Sequence, residues 1–251
     1  MNAYVCVYRQ ITPPPGAKKK TEQAATRDDL LRKFLNEYDG SFYDWGDAPS
    51  FFAAQHMLGD VRKATWGVCR SDVRSDLGKG DVVVFFCGSQ NKDEGPWRYY
   101  FIGFGTVREL VRRRALLWTK PAYAPYRKFY NLLTESDGKW REVFHPFHRK
   151  DWERRAQAPY VVFDRARSAF NLNSPHAVAT WDGEGNQETW KRDRRTREIE
   201  RLLFVERGIE RRLRTSRTGF AHVKLNLLRD GNKTRPGRSL SDFTDALSRL
   251  V

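Results

Sequence analysis

Val82-Val-Val-Phe-Phe-Cys87 is the stretch of this sequence that leaves the fewest folds open. It is a fully apolar run of strand length, preceded by the turn sequence Gly78-Lys-Gly80-Asp81 and followed by a polar hairpin loop from Gly88 to Pro96. Arg98-Tyr-Tyr-Phe-Ile-Gly-Phe-Gly-Thr-Val107 then returns as a long strand, and Gly103 and Gly105 inside it predict the bends or bulges of a closed barrel. Further strands are expected at Ala3 to Tyr8, around Ala64 to Cys69, and at Pro159 to Phe163. Ile11 to Gln23, with three prolines and three lysines, reads as a basic loop. Thr26 as a cap, Asp28 and Asp29 in a first turn, and Leu30, Leu31, Phe34 and Leu35 at helical spacing predict a helix ending near Gly40. Residues 121–158 read as short helices and loops. A long amphipathic helix is expected from about Gln187 to Arg214, with Ile199, Leu202, Leu203, Ile209 and Leu213 on one side, and a last helix over Leu240 to Leu250 with Ser241 as its cap. The expected class is α+β: a small β-barrel flanked by helices over residues 1–165, with insertions, and a mainly helical basic region over residues 166–251 packed on it.

Charge narrows the partner. Lys and Arg number 46 against 31 Asp and Glu, a formal net charge of +15, which favours a polyanion. The excess lies after the middle of the chain, in Arg112, Arg113 and Arg114, in Arg149, Lys150, Arg154 and Arg155, and in Lys191 to Arg217, where Arg194 and Arg197 stand. Arginine suits phosphate because its planar fork donates two parallel hydrogen bonds. The plainer account of the long helix is a solvated, salt-bridged face, since Arg197-Glu198, Glu200-Arg201 and Glu210-Arg211 alternate in sign. Cys6, Cys69 and Cys87 are odd in number and form no CxxC pair, so neither a disulfide framework nor a zinc knuckle is indicated and a reducing compartment fits. Cys6 and Cys87 sit in apolar runs and read as small buried hydrophobes. No apolar stretch approaches the roughly 18 residues of a membrane span, and the first residues lack a signal-peptide pattern, so a cytoplasmic location is expected.

The chain carries 8 Trp, 10 Tyr and 16 Phe, enough in so polar a sequence to suggest that some aromatics line a cavity. A flipped or single-stranded base is held by stacking on such rings and by hydrogen bonds to its edge. Trp45, in a loop between Asp44 and Gly46, and Trp66, at a strand start, are the leading candidates for pocket walls, with Trp97 and Tyr100 behind them. Asn171 and Asn173 have amides able to read a base edge, although turn formation is the commoner use of such residues.

Three segments in order, Ala64-Thr-Trp66-Gly-Val-Cys-Arg70-Ser71, Leu77-Gly-Lys-Gly80-Asp81-Val-Val-Val-Phe-Phe86 and Ile102-Gly-Phe-Gly-Thr-Val107, resemble the PUA-like superfamily, especially its EVE and YTH branches. The resemblance covers about residues 60–107 and, loosely, the first strand. It implies a PUA-like barrel in which Gly80 and Asp81 shape the turn into a barrel strand. It also implies that Trp66 stands in a base pocket and that Arg70 and Ser71 belong to a polar arm contacting base edge or backbone. By the same resemblance the ligand is a modified DNA or RNA base, in company with a modification or restriction system. The insertion around Pro13 to Lys20 and the large C-terminal region have no counterpart in that pattern.

Phe144-His145-Pro-Phe-His148-Arg149-Lys150-Asp151-Trp152 offers another chemistry. His145, His148 and Asp151 have a spacing that would suit metal ligation or a general base, but Pro146 interrupts any helix there and no third His or Cys lies close by. The expectation is therefore a nucleic-acid reader without cofactor or metal. A metal-dependent nuclease or base-modifying enzyme using that cluster is one alternative. A protein-interaction subunit docking through helix 187–214 is another.

Overall fold

The computed structural model describes residues 2–10, 50–67, 70–89, 98–129, 133–136, 139–142, 157–172, 174–180, 189–203, 223–226 and 240–251. The central strands are β1 (Asn2–Gln10), β3 (Val82–Ser89) and β4 (Arg98–Val111), with β3 parallel to β1 on one side and antiparallel to β4 on the other. A strand that is paired on both edges and apolar from Val82 to Cys87 needs cover on both faces. Val82, Val84 and Phe86 pack with Ala3, Val5, Phe101 and Phe104 on one face, and Val83, Phe85 and Cys87 pack with Tyr4, Cys6 and Ile102 on the other. Each fully buried Val or Phe side chain contributes on the order of 1.5–3 kcal/mol.

Gly103 changes the parity of β4. Phe85 pairs with Gly103 but Phe86 pairs with Phe101, so Ile102 is an extra residue in a bulge. Before the bulge Tyr99 and Phe101 share a face, and after it Phe104 takes the same face. Gly103 has φ +134°, and a Cβ there would lie 2.1 Å from the carbonyl oxygen of Ala169, so only glycine fits. At Gly105 a Cβ would meet the Phe163 ring at 2.5 Å. Gly103 makes the bulge expected of it, whereas Gly105 is a close approach that was not expected, and the described pairings do not close the sheet into the expected barrel.

The second edge of β4 is paired in succession by β9 (His176–Thr180), β8 (Ala169–Phe170) and β7 (Tyr160–Phe163). Beyond β7 lies β2 (Thr65–Trp66), and beyond β9 lies β10 (Thr189–Trp190). On the far side β11 (Val223–Asn226) pairs antiparallel with β1, giving the order β10-β9-β4-β3-β1-β11. The described pairings form an open path. A separate hairpin joins β5 (Leu133–Ser136) and β6 (Lys139–Glu142).

Helices cover both faces. On the aromatic face lie α1 (Phe51–Leu58) and α2 (Ser71–Asp76), which contribute Phe51, Ala54 and Val73. Near the end of β4, α3 (Leu116–Thr119) adds Leu117 to a smaller cluster with Val111, Tyr123, Tyr160 and Val162. On the opposite face α4 (Arg194–Leu203) and α5 (Leu240–Ser248) bury Ile199, Leu202, Leu203, Phe243 and Leu247. No described helix is long and apolar enough to cross a membrane.

Several expectations change. The segment after residue 165 supplies β8 to β11 to the same sheet, so no boundary at 165 separates a barrel from a mainly helical region. The helix expected from Gln187 starts at Arg194, because Thr189 and Trp190 form β10 and Asp193 caps the first turn by accepting from the Thr196 N–H (2.8 Å). Its stripe of Ile199, Leu202 and Leu203 is buried in the protein's own core, which leaves those residues nothing to offer a docking partner. Around Ala64 to Cys69 the described strand is limited to Thr65 and Trp66, and the polar α2 follows. The expected basic loop at 11–23 and helix at 26–40 lie outside the described residues.

Candidate functional site

Ser50 is tied to Thr65, the first residue of the short strand β2. The Ser50 N–H donates to the Thr65 carbonyl (2.9 Å) and the Thr65 N–H donates to Ser50 Oγ (2.9 Å). Thr65 Oγ1 in turn shares a 2.6 Å hydrogen bond with the hydroxyl of Tyr160, whose acidity burial suppresses. Successive side chains of a strand point to opposite faces, so with Thr65 held by hydroxyls, Trp66 turns to the other side. There it is fully buried, edge-on to Phe85 at 5.6 Å between ring centres. Phe51, Phe163 and Phe170 complete the aromatic cluster around Phe85. Much of the aromatic content that suggested a cavity is thus core packing. One polar group stands out in it: the indole N–H of Trp66 is buried and finds no hydrogen-bond acceptor among the described residues, which costs on the order of 1–3 kcal/mol.

The arm that follows Trp66 is partly described. Arg70 adopts a left-handed backbone (φ 56°) ahead of α2, of which Ser71 is the first residue, and donates to Asp72 at 2.7 Å. Nearby, burial pushes the Cys6 thiol up to about 12, with the charge of Arg70 opposing, so Cys6 is held as a thiol. Tyr100 is half-buried on β4, packed against the aromatic cluster. Asn171 makes a turn: its Oδ1 accepts from the Ser174 N–H (3.1 Å), and its Nδ2 donates to the carbonyls of Ser174 (3.2 Å) and Val251 (3.0 Å). Its amide is engaged on both ends, which favours turn formation over base reading. Trp45, Trp97 and Asn173 lie outside the described residues.

The three consecutive arginines part company. Arg112 and Arg113 are exposed, whereas Arg114 is only 4% exposed. Arg114 Nη2 donates to the carbonyls of Gly67 and Ala158, the latter at 3.0 Å, and its guanidinium lies 5.7 Å from the centre of the Tyr160 ring. Burial brings its pKa down to about 10, with the Tyr160 hydroxyl acting the other way, so it remains a cation. Arg74 joins it, fully buried, with Nη1 donating to the carbonyls of Ala158 (3.1 Å) and Pro159 (2.6 Å). Arg114 therefore holds the chain after Trp66 to the start of β7 and is not a surface contact, which corrects its grouping with Arg112 and Arg113.

Arg194 and Arg197 are exposed on α4. Arg149, Lys150, Arg154, Arg155, His145, His148 and Asp151 lie outside the described residues. Among the described residues no group of three or more His, Cys, Asp and Glu could hold a metal ion. Sequence reasoning missed Arg74, which sits in the polar stretch Ser-Asp-Val-Arg-Ser-Asp with no pattern to betray its burial. It also missed the junction of β9 with α4, where His176 Nε2 lies 3.0 Å from Thr196 Oγ1 and 3.4 Å from Asp193 Oδ1. The spacing Asp193-x-x-Thr196 was a legible cap signal there.

Fold and surface together define a class: a mixed sheet covered by helices on both faces, aromatic inside and basic outside. No protein-family model matches the chain, and neither a curated protein nor a solved structure matches it.

Proposed function

We propose that this protein is a nucleic-acid-binding reader with a PUA-like fold, which holds a modified or flipped base in an aromatic pocket while its arginines track the backbone. The observation that carries the reading is the placement of charge. In a chain of net charge +15, Arg112, Arg113, Arg194 and Arg197 are exposed, and none of them forms an ion pair with another described residue. Cations displayed in this way suit phosphate, whose condensed counterions they release. One further observation supports the resemblance: the Gly80-Asp81 turn of its second segment is hydrogen-bonded to Val107, at the end of its third (2.8 Å each way).

The test is binding to matched oligonucleotides, plain and base-modified, single- and double-stranded, across a salt series. Tighter binding to one modified base, above a salt-sensitive binding common to all strands, is the expected result. Equal binding to plain and modified strands by the wild type removes the pocket, and absence of salt-dependent binding removes the whole reading.

A further inference from the structure

Where β4 leaves β3, two segments of chain are pinned to two of its residues. The turn before β3 is fastened to Val107: the Gly80 N–H donates to its carbonyl and its N–H donates to Asp81 O, both at 2.8 Å. The 3-10 turn Arg165–Arg167 is fastened to Thr106, whose carbonyl accepts from the Asp164 N–H (2.7 Å) and whose hydroxyl donates to the Arg167 carbonyl (2.6 Å). Thr106 N–H also donates to Ser168 Oγ (3.0 Å). β4 itself bulges a second time here. Val107 pairs with Phe163 and Glu109 with Val162, so Arg108 has no partner residue in β7. A bulge of this kind re-aims the side chain it frees, and Arg108 is exposed.

The result is a cluster of cations that the linear sequence disperses. Lys79, Arg108, Arg165 and Arg167 are all exposed. The acidic groups nearby are occupied. Asp81 accepts from the N–H groups of Asn2 (2.8 Å) and Gly78 (2.9 Å), and Asp164 caps its turn through the Ala166 N–H (2.9 Å). Asp60 bonds Arg62 and Arg165. Its burial works against ionisation, yet the hydrogen bonds of Arg62 and Arg165 bring its carboxyl down to about 2, so it is ionised and neutralised at any ordinary pH. Lys79, Arg108 and Arg167 form no ion pair with another described residue.

From this geometry we infer that the end of the sheet around Thr106 is a phosphate-tracking surface, on which Lys79, Arg108 and Arg167 hold the backbone of a nucleic-acid strand. The inference rests on the nucleic-acid reading above and adds the surface that performs it, away from the arginines that the sequence singles out. Rigidity is the physical advantage of this place. The turns that carry Lys79 and Arg167 are fixed by hydrogen bonds to β4, and Arg108 stands between two paired residues, Val107 and Glu109, so less backbone ordering remains to oppose binding.

The experiment uses the full chain with Lys79→Gln, Arg108→Gln and Arg167→Gln combined, and a plain mixed-sequence oligonucleotide titrated between about 50 mM and about 200 mM salt. Losing three phosphate contacts should lower the slope of log K against log salt by about 2–3, and weaken binding roughly tenfold or more near 0.1 M salt. Retaining charge, with Arg108→Lys and Arg167→Lys, should restore most of the slope. An unchanged slope in a Gln variant that melts like the wild type overturns this surface and leaves the nucleic-acid reading standing. A wild type that binds anionic lipid vesicles but no oligonucleotide overturns both.

Discussion

Arg108 lies near the end of β4 and Arg114 just beyond it, and the protein uses the same side chain in opposite ways at the two positions. Arg114 is enclosed and donates to the carbonyls of Gly67 and Ala158, the second of which it shares with Arg74. Arg108 stands on a bulge in solvent with no ion-pair partner among the described residues. A composition of 46 basic residues counts both alike. Net charge measures the tendency to meet a polyanion only after the buried cations are set aside, and it says nothing about where the remainder cluster.

Substituting one member of each kind separates them most sharply. Arg114→Ala removes hydrogen bonds from a charged donor and leaves the Gly67 and Ala158 carbonyls short of a partner in a buried site. The expected loss is about 3 kcal/mol, or roughly 6–12 °C in a melt for a chain of this size. Arg114→Lys should recover little of it, since the shorter lysine ends before the position of Nη2 and lacks the planar guanidinium that lies by the Tyr160 ring. Arg108→Ala, by contrast, should stay within about 0.5 kcal/mol of wild type. Equal melting temperatures for Arg114→Ala and Arg108→Ala would erase the distinction.

Arg74→Ala is the next largest effect. Its guanidinium donates to Ala158 and Pro159, and with Arg114 intact Ala158 keeps one donor, so about 2 kcal/mol is expected. The double variant should lose less than the sum of the two single losses, because both arginines serve the Ala158 carbonyl. Strict additivity in denaturant unfolding would mean that the two do not act on one site.

A binding comparison sharpens the other half. Arg112→Ala with Arg113→Ala leaves the folded core untouched, since both side chains are exposed. Removing two phosphate contacts should flatten the salt slope by at most about 2. A larger effect here than from the cluster at Lys79, Arg108 and Arg167 would return the main backbone contact to the arginine run.

What the sequence made legible follows from how local each signal is. β3 and β4 could be read because an unbroken apolar run and paired glycines are patterns within a few residues, and Gly103 and Gly105 do meet neighbours that leave no room for a Cβ. The short strands β8 and β10 hold two residues each, too few to display an alternation, so their pairing with β4 and β9 was invisible until the sheet existed. Trp66 read as a pocket wall because a strand-start indole looks the same from sequence whether it faces a cavity or Phe85. The difference is made by the pairing of β2 with β7, which turns Trp66 inward. Arg112, Arg113 and Arg114 are identical letters in a row. Only the turn after β4, where Leu117 N–H donates to the Arg114 carbonyl (2.9 Å), sends the third one inside.

His176 lies between the two extremes, a titratable group enclosed but not sealed, and gives the smallest expected effect. Burial holds its pKa below the ordinary 6.5; Asp193 pulls upward, while Arg195 and Lys191 push down with burial. With the folded value below the unfolded one, the unfolded chain binds more protons in the interval between them. The stability it contributes is therefore complete above about pH 6.5 and is lost as the pH falls through the folded value. His176→Gln keeps a side chain able to meet Thr196 Oγ1 but cannot titrate. In urea unfolding at about pH 7 and about pH 5, the wild type should weaken relative to the variant at the lower pH, because protonating the imidazole places a cation beside Arg195 and Lys191. A relative gain for the wild type at low pH would show instead that the Asp193 carboxylate dominates. The enclosed imidazole would then behave as a paired cation, closer to Arg165 with Asp60 than to a buried neutral group.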